Sequence, residues 1–552
     1  MTQARKGEHK SVSVLSIFFA ICLAAFTTRL LPLSISQYPY NNDSLIECGM
    51  ASEISESGHL DFSPGSPWYG THSIATPALN VLLSFSSCSI GITPFDFAQL
   101  LTAIFFVLTA GGVFMLARMM TGSARGGLTA SIAAVTFGTY VFTTGSAWKV
   151  ALGMSLLTLL FVAFVNRAQP RFRILTLLIL LILPLVHHLA AAIGYLAMSY
   201  FVVWSWFFAW TQSSVSKRHY LDTVTVIPPI LVALTYYAIT LSDRLGMFSS
   251  LIRVVLFVEC FILLALLSFA VLSLRSHVKR SFAPVVGIGM ATLLFLDYSG
   301  LLFPYTHSVS EAYVLLILSS SFIVGFAWYG AEALVEKRPI YRAVMLGLLM
   351  PPVTVILFGF SMGLTGLSHQ ILYRAFDFSD LFVFMGLSFA VVIMSLRLSR
   401  KNAALVMTAL ACLLVSFPFG YFTSDLLGVR HDTAAYEVDA VEWIASHSDS
   451  PQMVSDERIG RIAFSMTWIE KRSYLPHDLL TNVSPLPGMY YIMEDSWTDV
   501  GVNDYPYGRA VIPESLYVET LQGSNVLYIG GPEPDRLLIF SPSEVGSENW
   551  QL

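Results

Sequence analysis

The chain has 552 residues, 55% of them hydrophobic, 13% aromatic and only 12% charged, with a mean hydropathy of +0.66. That balance excludes a soluble globular protein and describes a polytopic membrane chain. The net charge of −5 is unevenly spread: residues 423–552 carry 20 acidic and 7 basic side chains, a net −13, which leaves +8 for residues 1–422. So acidic a tail argues against nucleic acid as a partner and against docking on anionic headgroups, although solubility alone also accounts for it.

Apolar runs long enough to cross a hydrocarbon core of about 30 Å recur from residue 11 to about 422 and then stop. Lys and Arg are retained on the cytoplasmic side of short loops, so their positions give the topology. Of 24 basic residues in this part, 19 fall in seven clusters, around Arg5/Lys10, Arg118/Arg125, Arg167/Arg173, Lys217/Arg218, Arg275/Arg280, Lys337/Arg342 and Arg397/Lys401. Each interval between clusters holds two spans and an outside turn. The expectation is thirteen helices near 11–33, 96–118, 127–144, 149–166, 172–187, 189–211, 220–241, 251–274, 281–303, 312–334, 341–362, 380–397 and 402–422. The N-terminus is then cytoplasmic, and residues 423–552 form a soluble α/β domain on the extracytoplasmic side of a multi-pass cell-membrane protein. The first span, preceded by Arg5, Lys6 and Lys10, reads as a retained anchor rather than a cleaved signal.

Residues 34–95 form a long first outer loop. It contains YPYNNDSLIECGMASEISESGHLDF, an acidic stretch with an amphipathic helix directly beside the membrane, centred on Asp43. Asp43 is a candidate catalytic carboxylate, and Asp is equally suited to capping a helix that starts at Ser44. Glu47, one helical turn on, would share its face. ATPALNVLLSFSSCSIGI reads as a juxtamembrane helix, because counting it as a span would invert every later basic cluster. Cys48 and Cys88 would face the same side, without a spacing that demands a disulfide.

Further along, Lys149 in TTGSAWKVAL and the pair His187/His188 lie at outer span ends. Adjacent helical residues diverge by about 100°, so the two histidines would not share one ligand. Arg374, in SHQILYRAFDFSDLFVF before span twelve, is a basic residue on the outer side. Its partner is either Asp377, one turn on, or a lipid phosphate, with His369 and His307 as further candidates. Asp222, Glu259 and Asp297 are acids within or beside apolar segments. The pairs Pro228/Pro229 and Pro351/Pro352 are expected to kink their helices. In the last part, AAYEVDAVEWIASHS reads as a helix, and NVLYIGG and RLLIFSP as a terminal hairpin. SWTDVGVNDYPYG is a surface loop or an acceptor-binding segment.

No Gly-rich nucleotide loop, Walker-type lysine or dinucleotide fingerprint occurs, so an activated substrate would arrive through the lipid. One apolar span, the outer Asp in YNNDSLIECGMASEISESGHL, the helix TPALNVLL and a span ending ARMMTGSARGGLTA together resemble the N-terminal module of the GT-C superfamily. These are membrane glycosyltransferases, among them protein mannosyltransferases, aminoarabinose transferases and the oligosaccharyltransferase catalytic subunit. The motif match covers about residues 11–145; beyond it the likeness is one of architecture.

The resemblance implies inverting transfer of a hexose or pentose from a polyprenyl-phosphate carrier, such as dolichol phosphate, to a glycan, lipid or protein acceptor in the cell envelope. It also implies Asp43 as general base or as ligand of a weakly held divalent cation, Mg or Mn. Arg374, His187, His188, Glu47 and Lys149 would serve the substrate or its phosphate. The family's second acidic motif, DxD, is replaced by TTGSAWK, and its WWDYG motif is absent, which favours a base role without tightly held metal. The alternatives are a transporter or flippase of lipid-linked glycans, coupled through Asp297 and Glu259, and a non-catalytic scaffold with an outer binding domain.

Overall fold

The computed structural model describes residues 2–240, 255–265, 282–301, 311–422 and 430–542, apart from 64, 65, 67, 69–71, 212, 300, 336–338, 362, 364, 365, 397, 398, 450, 482, 484, 485, 487, 505–507 and 534. The helical part comprises α1 (Thr2–Leu30), α2 (Asn42–Ser57), α3 (His72–Ala75), α4 (Ala78–Ile90), α5 (Pro94–Thr121), α6 (Ala124–Thr136), α7 (Gly138–Gly145), α8 (Lys149–Val165), α9 (Pro170–Val186), α10 (His188–Thr211) and α11 (Lys217–Thr240). It continues with α12 (Val255–Ala265), α13 (Phe282–Tyr298), α14 (Tyr313–Val335), α15 (Pro339–Ser361), α16 (Gly366–Leu396) and α17 (Arg400–Ser416). Among the described residues eight helices are long and apolar enough to cross a membrane, and the α6–α7 pair makes a ninth candidate span. Each of the thirteen expected spans has a helix at its place, although the expected 251–274 extends outside the described residues. This is a multi-pass membrane protein.

Local chemistry sets the helix ends. Thr93 accepts a bond from the Asp96 amide at 3.2 Å and returns one to its carboxylate at 2.7 Å, with Pro94 opening α5. Gly122, at φ +69, ends it. The expected span 127–144 is two helices bent by 70°. The bend falls where Gly138 lies against the backbone of Ser416, an approach that leaves no room for a side chain. The pairs Pro228/Pro229 and Pro351/Pro352 both sit within continuous helices, α11 and α15.

The C-terminal domain carries α18 (Ala435–His447), β1 (Met453–Ser455), α19 (Glu457–Thr467), β2 (Lys471–Tyr474), α20 (Leu475–Leu480), β3 (Tyr490–Glu494), β4 (Val502–Asp504), β5 (Gly508–Ala510), α21 (Glu514–Gln522), β6 (Ser524–Gly530) and β7 (Leu537–Pro542). Its main sheet runs β2-β1-β3-β7-β6; β1 is parallel to both neighbours, and β7 is antiparallel to both β3 and β6. The expected helix and terminal hairpin are both present. Trp497 of SWTDVG is fully buried in the core of this domain, and residues 505–507 of the same segment lie outside the described residues.

The two parts are bolted together through the first loop. Ser36 donates to the Thr433 carbonyl at 2.5 Å, the Asn41 amide to His431 at 2.8 Å, and the Tyr40 hydroxyl to Tyr421 at 3.0 Å. Leu45 of α2 belongs to the same apolar cluster as Val438, Ile459 and Ile462. Gly49 lies so close to the Ser465 backbone that a Cβ would stand 2.7 Å from its carbonyl oxygen. Helix α2 is thus packed as part of the C-terminal domain as much as of the membrane part.

His431 sits at this junction against Phe142, ring centroids 4.8 Å apart. Burial lowers its imidazole from 6.5 to about 4, so the unfolded chain binds the extra proton first. Stability is therefore expected to be lost as pH falls from about 6.5 towards 4, and thermal melts of the wild type and His431→Phe should converge in slope when that proton is removed.

Candidate active site

Helix α2 begins two residues earlier than a cap at Asp43 would require. Asn41 is the N-cap: its side chain accepts the Asp43 amide at 3.1 Å, and its φ of +80° is one of three positive values at non-glycine positions among the described residues. Asp43 is therefore in the first helical turn with its carboxylate released from capping. That carboxylate pairs with Arg461 of α19 through one oxygen and, at 3.9 Å, with Arg374 of α16 through the other. The three side chains come from the first loop, the membrane part and the C-terminal domain, and all keep some exposure (26%, 19% and 36% for Asp43, Arg461 and Arg374). Arg461 is itself held by Glu457 at 2.7 Å, which also takes Lys471 at 2.6 Å.

Glu47 does not share the open site with Asp43. It is buried, bonded to Lys149 at 3.0 Å, and accepts from Asn80 at 2.6 Å, while Lys149 also donates to the Ser73 carbonyl at 3.3 Å. Both charges are spent on each other, and their effect is to pin α2 to α4 and to the N-terminus of α8. Glu47 and Lys149 are thus buried against each other, away from the open carboxylate of Asp43.

The helical divergence expected between His187 and His188 does not apply, because the helix breaks between them: His187 has extended backbone and its Nδ1 accepts the Ala190 amide at 3.2 Å. The rings stack at 4.7 Å. His187 is buried, whereas His188 is exposed and lies within the electrostatic reach of both Arg374 and Lys149. Of the pair, His188 is the ring with open surface.

Arg374 lies inside α16, which starts well before the expected 380. Its ion pair is with Asp43 rather than with Asp377, which is buried and hydrogen-bonded to Thr143. The His307 position and the His369 side chain lie outside the described residues. Asp222 is away from the site, buried and paired with Arg167 at 2.8 Å and Arg173 at 3.1 Å, which resolves its place next to apolar helices. Glu259 is on an exposed face of α12, and Asp297 is half-buried near the end of α13. Cys48 is buried and Cys88 exposed, both with free thiols.

Arg461 is the partner that sequence reasoning missed. Its one signal is its rarity, since it is one of 7 basic residues in a domain with 20 acids. Among the described residues no three His, Cys, Asp or Glu side chains gather as a metal site. The nearest neighbours of Asp43 are two guanidinium groups, whose charge opposes a divalent cation, so this donor set does not fit Mg or Mn.

No family model and no curated protein sequence matches the chain. Among solved structures it superposes on the oligosaccharyltransferase AglB from Archaeoglobus fulgidus, solved with an inhibitory peptide and a dolichol-phosphate, at a TM-score of 0.54 and 13% identity, over 97% of this chain and 75% of that one. The apo form of that enzyme gives 0.54 and 13%, over 96% and 74%. ArnT from Cupriavidus metallidurans gives 0.48 and 10%, over 98% and 99%. The fold is thus similar to that of the archaeal oligosaccharyltransferase, membrane helices carrying a C-terminal domain with a five-stranded sheet.

Proposed function

We propose that this protein transfers a sugar from a polyprenyl-phosphate carrier to an acceptor at the extracytoplasmic face of the cell membrane. The observation that carries this reading is Asp43, placed at the junction of membrane helices and soluble domain between Arg374 and Arg461. Such an arrangement offers a proton acceptor and two phosphate-seeking cations within one small volume. AglB, whose fold the chain shares, was solved with a dolichol-phosphate and a peptide, and the lack of nucleotide-binding motifs here agrees with a lipid-borne donor.

In this reading the acceptor hydroxyl or amide gives its proton to Asp43 as its oxygen or nitrogen attacks the anomeric carbon. The bond from that carbon to the phosphate oxygen breaks, and the electron pair leaves on the phosphate. Arg374 and Arg461 neutralise the charge that develops there, and His188 supplies a further polar contact. At 3.9 Å Arg374 is beyond hydrogen-bond distance of Asp43, so its donors are not spent on that carboxylate. Asp43 acts as base, and no step is assigned to a metal.

Arg374→Lys tests the phosphate role. A planar fork replaced by a point charge loses bidentate contact, so KM for the lipid donor should rise by about 10- to 100-fold with a smaller change in kcat. Steady-state kinetics with a polyprenyl-phosphate sugar measure it; an unchanged donor KM would remove Arg374 from the phosphate site.

A further inference from the structure

The contacts between α2 and α19 fall in one order along both helices. Asp43 meets Arg461, Gly49 meets Ser465, and Glu53 accepts the indole N–H of Trp68, whose ring packs on Phe464 and Trp468. The helices therefore run side by side in the same direction, from the ion pair at one end to an aromatic corner at the other. Trp468 lies seven residues beyond Arg461, two turns on the same face, or roughly 10 Å along the axis.

The corner is built from three rings nearly perpendicular to one another. Trp68 and Phe464 lie 5.2 Å apart at 82°, Trp68 and Trp468 5.3 Å at 79°, and Phe464 and Trp468 5.8 Å at 87°. Trp68 is 2% exposed, yet Trp468 is 43% exposed. A large aromatic left open to water while its neighbours hold its plane fixed offers a stacking face.

A second, independent observation concerns the backbone. Trp468 is the C-cap of α19, with φ +62° and ψ +14°, a left-handed position that glycine or asparagine ordinarily fills. A bulky residue is strained there, and such strain persists where the side chain is needed. Packing does not supply that need, because nearly half the indole is not packed.

We propose that Trp468, with Trp68, Phe464 and the Glu53 carboxylate, forms a subsite for a saccharide portion of the acceptor. The apolar C–H face of a sugar ring stacks on the exposed indole, and Glu53 accepts hydrogen bonds from its hydroxyls. This deepens the glycosyl-transfer reading, on which it rests, by naming the acceptor as a carbohydrate chain long enough to reach from Asp43 to Trp468.

The test is saturation-transfer NMR on the full-length protein in nanodiscs with mannotriose, galactotriose and cellotriose, comparing wild type, Trp468→Gly, Trp468→Phe and Asp43→Asn. At least one trisaccharide should show contact through its ring C–H protons, with the signal reduced at least fivefold in Trp468→Gly, partly kept in Trp468→Phe and unchanged in Asp43→Asn. Glycine relieves the positive φ, which offsets the ring contacts it removes, and Trp468→Phe keeps those contacts, so thermal melts of both variants check that they are folded. No contact with any trisaccharide, or equal contact in Trp468→Gly, would overturn the subsite. Transfer activity separates the two readings: saccharide contact without any transfer from a lipid donor contradicts the enzyme reading alone, and transfer without contact contradicts the subsite alone.

Discussion

Asp43→Asn is expected to lower sugar transfer by about 10²- to 10⁴-fold, with the donor KM changed far less than kcat, measured with a labelled polyprenyl-phosphate sugar. Asparagine keeps the size of the side chain and leaves the backbone bond from the Asp43 amide to Asn41 intact, so α2 should remain capped. What it removes is the proton acceptor. The carboxylate also balances Arg374 and Arg461, and without it the two cations would repel one another. Tighter binding of the donor phosphate in the variant is therefore compatible with slower turnover. That split, slow chemistry with undiminished donor binding, separates a base from a residue that only holds the substrate. Equal kcat in the two proteins would exclude Asp43 from the reaction.

The second large effect concerns stability. Arg458 is buried in the C-terminal domain, bonded to Glu437 and, at 2.6 Å, to Glu494, with Asp456 at 4.0 Å. Glu437 also accepts the Ala434 amide at 2.8 Å, starting α18. Burial raises the Glu437 carboxyl against the pull of Arg458, and that guanidinium bonds Glu437 and Glu494 together. Arg458→Met keeps much of the volume and removes the charge, leaving buried carboxylates without their main partner. The expected loss is about 3–5 kcal/mol, or roughly 10–20 °C in the melting of a domain this size. Adding Glu437→Gln should restore part of it, since neighbouring charges are not additive. A melting temperature within a few degrees of wild type for Arg458→Met would contradict the assignment. The consequence reaches the site, because Arg458 lies one turn before Arg461 and fixes the helix that presents it to Asp43.

The membrane architecture was legible because hydrocarbon thickness and the placement of Lys and Arg constrain a chain strongly. Helices occur at all thirteen expected places, and Asp43 and Arg374, 331 positions apart in sequence, do meet. What was not legible depended on contacts between distant segments. Glu47 read as a second open carboxylate because its helical spacing from Asp43 was visible, whereas Lys149 and Asn80, which bury it, come from two other helices. The histidine pair was read on helical geometry, and a break at His187 changed the angle between the rings. Arg461 carried no motif at all. Its role follows from the packing of α2 on α19 through Gly49, a close backbone approach that no pattern along the chain announces.

The central claim is that the activated sugar comes from lipid. The direct measurement is transfer of radiolabelled sugar by the purified protein in nanodiscs, offered in parallel as polyprenyl-phosphate sugars and as the corresponding nucleotide sugars, with a glycan acceptor. Product is expected from a polyprenyl-phosphate donor and none from the nucleotide forms. Product from a nucleotide sugar, or none from any polyprenyl-phosphate donor, would contradict it.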